Sequence, residues 1–225
     1  MGAKNFRRVI ALVPLRGGSQ SIRYKNIKPI ADKPLAYWVL KAATDAPSIN
    51  KVYVSTEDPQ IKNAVKALRL GVEVIDRPYD LATDLATTDS VMGHFMEKVP
   101  DFDILFTIQA TSPLTTAKDL ERALEQLEAG GHDSLLTGVP TKRFIWSKGG
   151  EPLNYDYRNR PMRQHFDGSI TENGAFYITR KPILEQHKNR LGGNIGIYEM
   201  HPDLHTELDE PTDWEEVEKM LKKRY

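Results

Sequence analysis

The chain has 225 residues, enough for one large domain with its own core, and its 31 basic residues balance its 31 acidic ones. A net charge of zero offers no basic face to a polynucleotide partner, and the lack of cysteine removes disulfides and thiolate metal sites. No apolar stretch approaches a membrane span, and the run after the basic start MGAKNFRR is short and stopped by Arg16, unlike a signal peptide. A soluble cytoplasmic protein that binds neither membrane nor nucleic acid is therefore expected.

Residues 9–15 are apolar and read as a buried first strand. Residues 35–43 follow as a helix with Leu35, Trp38, Val39 and Ala42 on one face, and residues 51–55 as a second strand. Asp58 then fits an N-cap with Pro59 at the first helical position, and Ile61, Ala64, Val65 and Leu68 make an amphipathic helix that Gly71 ends. Residues 72–75 read as strand, 89–98 as helix and 103–109 as a strongly apolar strand. Thr116 and Asp119 form a capping box for a helix carrying Leu120, Ala123, Leu124 and Leu127. Residues 134–139 and 172–179 are strands, and a second capping box, Thr212 with Glu215, opens a last helix with Trp214, Val217 and Leu221 inward. This alternation predicts a mostly parallel sheet with helices on both faces, and ligands at the C-terminal strand edge. The rhythm breaks at about residues 140–164, rich in aromatic, Gly, Pro, Asn and Arg residues, which fits an insertion, a hairpin arm or an oligomer contact.

The loop at residues 15–27 follows the first strand, where phosphates bind in such folds. Gly17 and Gly18 let backbone amides approach an anion, Ser19 and Ser21 add hydroxyls, and Arg16, Arg23 and Lys25 add positive charge. The pattern is neither a Walker loop nor a dinucleotide fingerprint. A solvated glycine turn would use the same glycines, but the cations and hydroxyls beside them favour an anion site.

Arg16-Gly17-Gly18-Ser19 followed by Lys25-Asn26-Ile27 resembles the opening signature of the acylneuraminate cytidylyltransferases, the CMP-sialic acid synthetase family. The likeness continues, in order, through Val54-Ser55-Thr56, Arg77, Leu81-Ala82-Thr83-Asp84 and Gln109-Ala110-Thr111-Ser112-Pro113-Leu114. It ends with Arg163-Gln164, Glu172-Asn173-Gly174-Ala175-Phe176-Tyr177 and Glu207-Leu208-Asp209. The resemblance implies a Rossmann-like three-layer α/β nucleotidyltransferase spanning residues 1–225, with an inserted dimerisation arm near residues 140–170. It implies a homodimer, or a dimer of dimers, that joins CTP to a sialic-acid-type nonulosonic acid and releases pyrophosphate. The stretch from Arg143-Phe144-Ile145-Trp146 to Asp167-Gly168 looks more like the neuraminate and Kdn branch than the legionaminate, pseudaminate or Kdo enzymes. A non-catalytic nucleotide-binding protein on the same fold is the rival of another class.

Implied roles follow residue by residue. Leu15, Arg16, Gly17, Ser19, Lys25, Asn26, Arg77, Ala86, Thr88 and Gln109 match the nucleotide site, with Arg16 and Lys25 on the triphosphate. Gln109 lies between nucleotide and sugar. Arg160, Arg163 and Gln164 match sugar-acid contacts made from an arm that reaches a neighbouring subunit, although Met162 stands where the family often has arginine. Glu207 and Asp209 match the Mg²⁺ ligands, Asp209 being a catalytic residue with Arg16 and Lys25; the family usually has two aspartates, and this chain has glutamate first. Alternation along an extended segment would aim both carboxylates at one face, and Mg²⁺ prefers oxygen donors. Read without the resemblance, the pair fits an exposed lead-in to the Thr212 cap better than a metal site. His201 and His205 have zinc-like spacing but sit beside Pro202 without a supporting motif, and fit a surface turn better.

Overall fold

β1 (Val9–Pro14) sets the layering of the molecule. Val9, Ala11 and Val13 point into one buried cluster, and Ile10 and Leu12 into another on the opposite face of the sheet. The computed structural model describes residues 7–19, 21–205, 208 and 211–224.

After β1 come a two-stranded hairpin, β2 (Pro29–Ile30) and β3 (Lys33–Pro34), and then α1 (Leu35–Asp45). Next are β4 (Lys51–Thr56), α2 (Pro59–Ala67), β5 (Glu73–Asp76), α3 (Thr88–Lys98), β6 (Ile104–Ile108) and α4 (Ala117–Ala129). The chain closes with β7 (Ser134–Thr141), β8 (Ser169–Arg180), α5 (Lys181–His187), β9 (Ile195–Glu199) and α6 (Pro211–Arg224). The main sheet has seven strands in the order β5-β4-β1-β6-β8-β7-β9. Pairings β1–β4, β1–β6, β4–β5 and β7–β9 are parallel, while β8 runs antiparallel to both β6 and β7. The expected mostly parallel, three-layer α/β architecture is therefore observed.

One layer packs Val39 and Leu40 of α1, Ile61 and Val65 of α2, and Leu120, Ala123 and Leu127 of α4 against the sheet. The other packs Met92 and Phe95 of α3 and Leu184 of α5. A third cluster joins Ile22 of the first loop, Ile30, Leu35, Trp38, Leu114 and Leu208 to Trp214, Val217 and Leu221 of α6. Truncating a fully buried ring such as Phe95 or Phe106 to alanine would cost about 3–5 kcal/mol.

Local signals explain most boundaries. The Asp58 carboxylate caps α2 by accepting from Gln60 N–H (2.7 Å) and Ile61 N–H (3.1 Å). Thr116 and Asp119 make the reciprocal capping box of α4. Two expectations fail. α2 ends at Ala67, before Gly71, because Arg69 already turns the chain with φ of 54°. α6 begins at Pro211, which places Thr212 inside the helix and rules out its capping box with Glu215; proline suits the first helical position because it lacks an N–H.

β7 and β8 run past the sheet as a hairpin, paired out to Thr141 with Ser169, and residues 142–168 form an arm at its tip. Phe144 stacks near Tyr155 (4.2 Å between centroids) and Phe166 (4.8 Å), and Trp146 packs edge-on to Tyr155. No helix among the described residues is long and apolar enough to cross a membrane.

Candidate active site

The chain climbs from β1 through β4 to β5, then returns across β1 to β6. This reversal leaves a crevice beyond the C-terminal ends of β1 and β6, where open α/β sheets take ligands. A cleft of about 310 Å³ lies there, framed by Pro14 at the end of β1 and Arg16 just beyond it, Arg77 after β5, Gln109, Ala110 and Thr111 after β6, and Thr87, Thr88 and Val91 at the start of α3.

Ser19, Lys25, Asn26 and Ala86 line the same cleft, so eight of the ten residues matched to the nucleotide site converge on it: Arg16, Ser19, Lys25, Asn26, Arg77, Ala86, Thr88 and Gln109. Leu15 and Gly17 do not. The Leu15 side chain is fully buried in the core and its N–H bonds to Ser55 O (2.9 Å). The Gly17 N–H is taken by Glu57 Oε1 at 2.7 Å. Both residues hold the loop in place rather than face the cleft. Gly17 is glycine for lack of room: a Cβ there would lie 2.6 Å from Asp58 Oδ2.

Each cleft cation has a defined seat. Arg16 Nη1 pairs with Asp84 Oδ1 at 2.8 Å, and Lys25 Nζ donates to Leu208 O at 3.0 Å. Buried Asn26 donates from Nδ2 to Arg16 O (2.9 Å), bracing the loop from within. Arg77 is 6% exposed; its Nε donates to Ser55 Oγ (3.1 Å) and its Nη2 to Ser55 O (2.5 Å). Burial lowers the Arg77 pKa, attraction from Glu57 opposes that, and repulsion from Arg16 adds to it. Arginine still keeps its charge, so the cleft holds a buried, preorganised cation. Gln109 is fixed at the end of β6 by its N–H to Ala175 O (3.0 Å).

On α3, His94 Nδ1 is buried without a hydrogen-bond partner among the described residues. Burial lowers its pKa from 6.5; Lys98 and Arg77 push the same way, and Glu97 opposes them. Asp89, on the first turn of α3, pairs with Arg190 (3.5 Å), whose guanidinium lies 4.8 Å from the Tyr177 ring centroid on β8.

The residues matched to the sugar are elsewhere. Arg160, Arg163 and Gln164 are exposed on the arm and do not line the cleft. Arg160 lies over the Phe144 ring (4.3 Å), and Gln164 bonds only weakly to Met162 Sδ (3.9 Å). Glu207 and Asp209 lie outside the described residues, but Leu208 between them is buried, and its N–H bonds to Thr111 O (3.0 Å). His201 is exposed beside Asp203, and no group of three or more metal-ligating side chains occurs among the described residues. Leu81, Thr83, Asp84 and Thr87 line the cleft without having been given roles. Asp84 was detectable in principle, as the acid of a short motif in a chain whose cleft is otherwise cationic.

A cationic cleft at the switch point of a three-layer α/β sheet defines a nucleotide-binding protein of the nucleotidyltransferase architecture. The cytidylyltransferase family model matches residues 10–225, and the chain belongs to that family. It is 36% identical over 222 residues to N-acylneuraminate cytidylyltransferase A of Danio rerio, a match covering 96% of this chain and 51% of that protein. Identity to the N-acylneuraminate cytidylyltransferase of Oncorhynchus mykiss is also 36%, over 96% of this chain and 50% of the relative. The chain thus spans about half the length of these curated relatives. Among solved structures, CMP:2-keto-3-deoxy-manno-octonic acid synthetase complexed with CTP superposes with a TM-score of 0.75 at 18% identity, covering 97% of this chain and all of the other. At that identity the match speaks to the fold.

Proposed function

We propose that this protein transfers the cytidylyl group of CTP to the anomeric hydroxyl of a sialic-acid-type 2-keto sugar acid, with N-acetylneuraminate or Kdn favoured, and releases pyrophosphate. The observation that carries the reading is the convergence of Arg16, Lys25, Arg77 and Gln109 on one cleft at the sheet's switch point. The sugar's 2-hydroxyl would attack the α-phosphorus in line, with no covalent enzyme intermediate. Arg16 and Lys25 would offset charge building on the phosphates, and prior alignment of the reactants would supply the rest. Gln109 would sit between base and sugar, fixed by its backbone bond to β8.

Mg²⁺ is the metal proposed, held by Glu207 and Asp209 together with phosphate oxygens. An all-oxygen donor set suits it, and Leu208 between the two carboxylates is anchored to cleft residues Lys25 and Thr111. When bound, it would neutralise polyphosphate charge. The working form is proposed to be a cytoplasmic homodimer in which Arg160, Arg163 and Gln164 of each arm serve the partner's sugar site. Their absence from the cleft of their own chain and the exposed Trp146, Leu153, Tyr157 and Met162 on the arm support this.

Pyrophosphate release with CTP and Mg²⁺ is the deciding assay, run with N-acetylneuraminate, Kdn, legionaminate, pseudaminate and Kdo in parallel. Turnover greatest with N-acetylneuraminate or Kdn is expected; no turnover with any of them would leave a nucleotide-binding protein without this activity.

A further inference from the structure

Glu57 follows β4 and precedes the N-cap of α2, just after the Val54-Ser55-Thr56 motif, and no role was implied for it by the sequence. Its carboxylate is nonetheless divided between two parts of the nucleotide site. Oε1 accepts the Gly17 N–H at 2.7 Å. Oε2 is shielded from solvent with no hydrogen-bond partner among the described residues. The buried charge that attracts it is the Arg77 guanidinium, which is held by Ser55 two positions upstream. Arg77's own N–H bonds to Thr56 O at 3.0 Å. The short segment from Ser55 to Asp58 therefore grips Arg77 from one side and the first loop from the other, with Gly17 pressed against Asp58.

Glu57 is absent from the lining of the main cleft. It lines an adjoining depression with Gly17, Gly18, Tyr24, Asp58 and Thr83. It stands behind the cleft, placed to act on it through Gly17 and Arg77. A neutral acceptor would satisfy the Gly17 amide without the desolvation penalty of a half-unpaired carboxylate. The charge is the part that attracts Arg77.

From this geometry we propose that Glu57 is a positioning residue for the nucleotide, fixing the phosphate loop through Gly17 and the pocket cation Arg77 through its charge, without touching the nucleotide itself. The proposal rests on the reading of the cleft as a CTP site. It predicts that Glu57→Ala lets the loop carrying Arg16 move relative to Arg77, so the two cations no longer meet one triphosphate in register. Glu57→Gln keeps an acceptor for Gly17 and loses only the charge.

The test is calorimetric titration of CTP into the unaltered chain and both variants, with KM for CTP and for the sugar acid measured alongside and thermal melts as a check on folding. Glu57→Ala should weaken CTP binding by about tenfold or more while the sugar KM stays within about twofold, because a lost charge-assisted contact is of that order. Glu57→Gln, which keeps the acceptor for Gly17 and lacks the charge, should recover part of the loss. CTP affinity unchanged in Glu57→Ala overturns the proposal. So does a parallel rise in both KM values, which would mean general loosening, and so does a Gln variant no better than Ala. If Glu57→Ala fails to fold, Glu57→Gln decides alone: a CTP affinity between about two- and tenfold weaker than the unaltered chain, with sugar KM unmoved, is the expected result, and any other overturns it. CTP binding without turnover would fail the activity reading and leave this one standing; no CTP binding by the unaltered chain would sink both.

Discussion

The cleft and the arm are built by opposite means. The cleft is fixed from below: Arg16, Lys25, Asn26 and Arg77 are tied by short bonds to strand ends and loop carbonyls, and the residues behind them are fully buried. The arm holds itself together by ring stacking around Phe144 and Tyr155, while Leu153 (63% exposed) and Met162 (59%) face outward. Among the described residues, the cationic cleft is held within one chain. Arg160, Arg163 and Gln164 sit on a projection whose apolar residues are exposed. On the proposed reading, the core preorganises the nucleotide half of the site and a partner's arm completes the sugar half.

That contrast can be broken in several ways. Arg16→Ala should cause the largest loss, about 10²–10³-fold in kcat with an unchanged melting temperature, since it removes a cation from a preorganised cleft and leaves the core intact. A kcat near that of the unaltered chain would take Arg16 out of the mechanism. Arg163→Ala should raise the KM for the sugar acid by about tenfold or more and leave that for CTP alone. Mixing it with Arg16→Ala protein sharpens the point, because hybrid dimers rebuild one intact site and should restore about a quarter of full activity. No restoration would mean that each arm serves its own chain. Asp209→Asn should raise the Mg²⁺ concentration needed for half-maximal rate several-fold, and an unchanged metal titration would remove it as a ligand.

The smallest effect belongs to His94. Its folded-state pKa lies below the ordinary 6.5, so the unfolded chain takes up the proton first as pH falls. The stabilisation is full above that value and is lost as pH drops through the folded-state pKa. The melting temperature of the unaltered chain should fall faster than that of His94→Gln as pH drops below 6.5; parallel curves would show that the imidazole titrates as it does in water.

Much of this was legible in the residues. The Asp58 and Thr116 caps, the apolar run of β1 and the inward Trp214, Val217 and Leu221 of α6 are all local signals, and the structure reproduces them. β9 was missed because Gly196 breaks its pattern and Ile195 and Ile197 are exposed on an edge strand. The start of α6 was misjudged because threonine and glutamate at the right spacing also occur inside helices. Glu57 escaped notice, and Asp84 was legible only as part of a motif without a role, for a different reason. Their partners, Gly17 and Arg16, lie far along the chain, and no spacing rule brings residues together across a sheet.

Leu208 ties α6 to the first loop. Its carbonyl seats Lys25, its N–H holds Thr111, and its side chain packs in one cluster with Ile22 and α6. During synthesis the sheet and first loop can collapse well before this residue leaves the ribosome. The lysine of the loop then waits for its seat until Leu208 docks. Nucleotide capture would thus be withheld until Leu208 has been made and seated, well after the sheet that carries the loop.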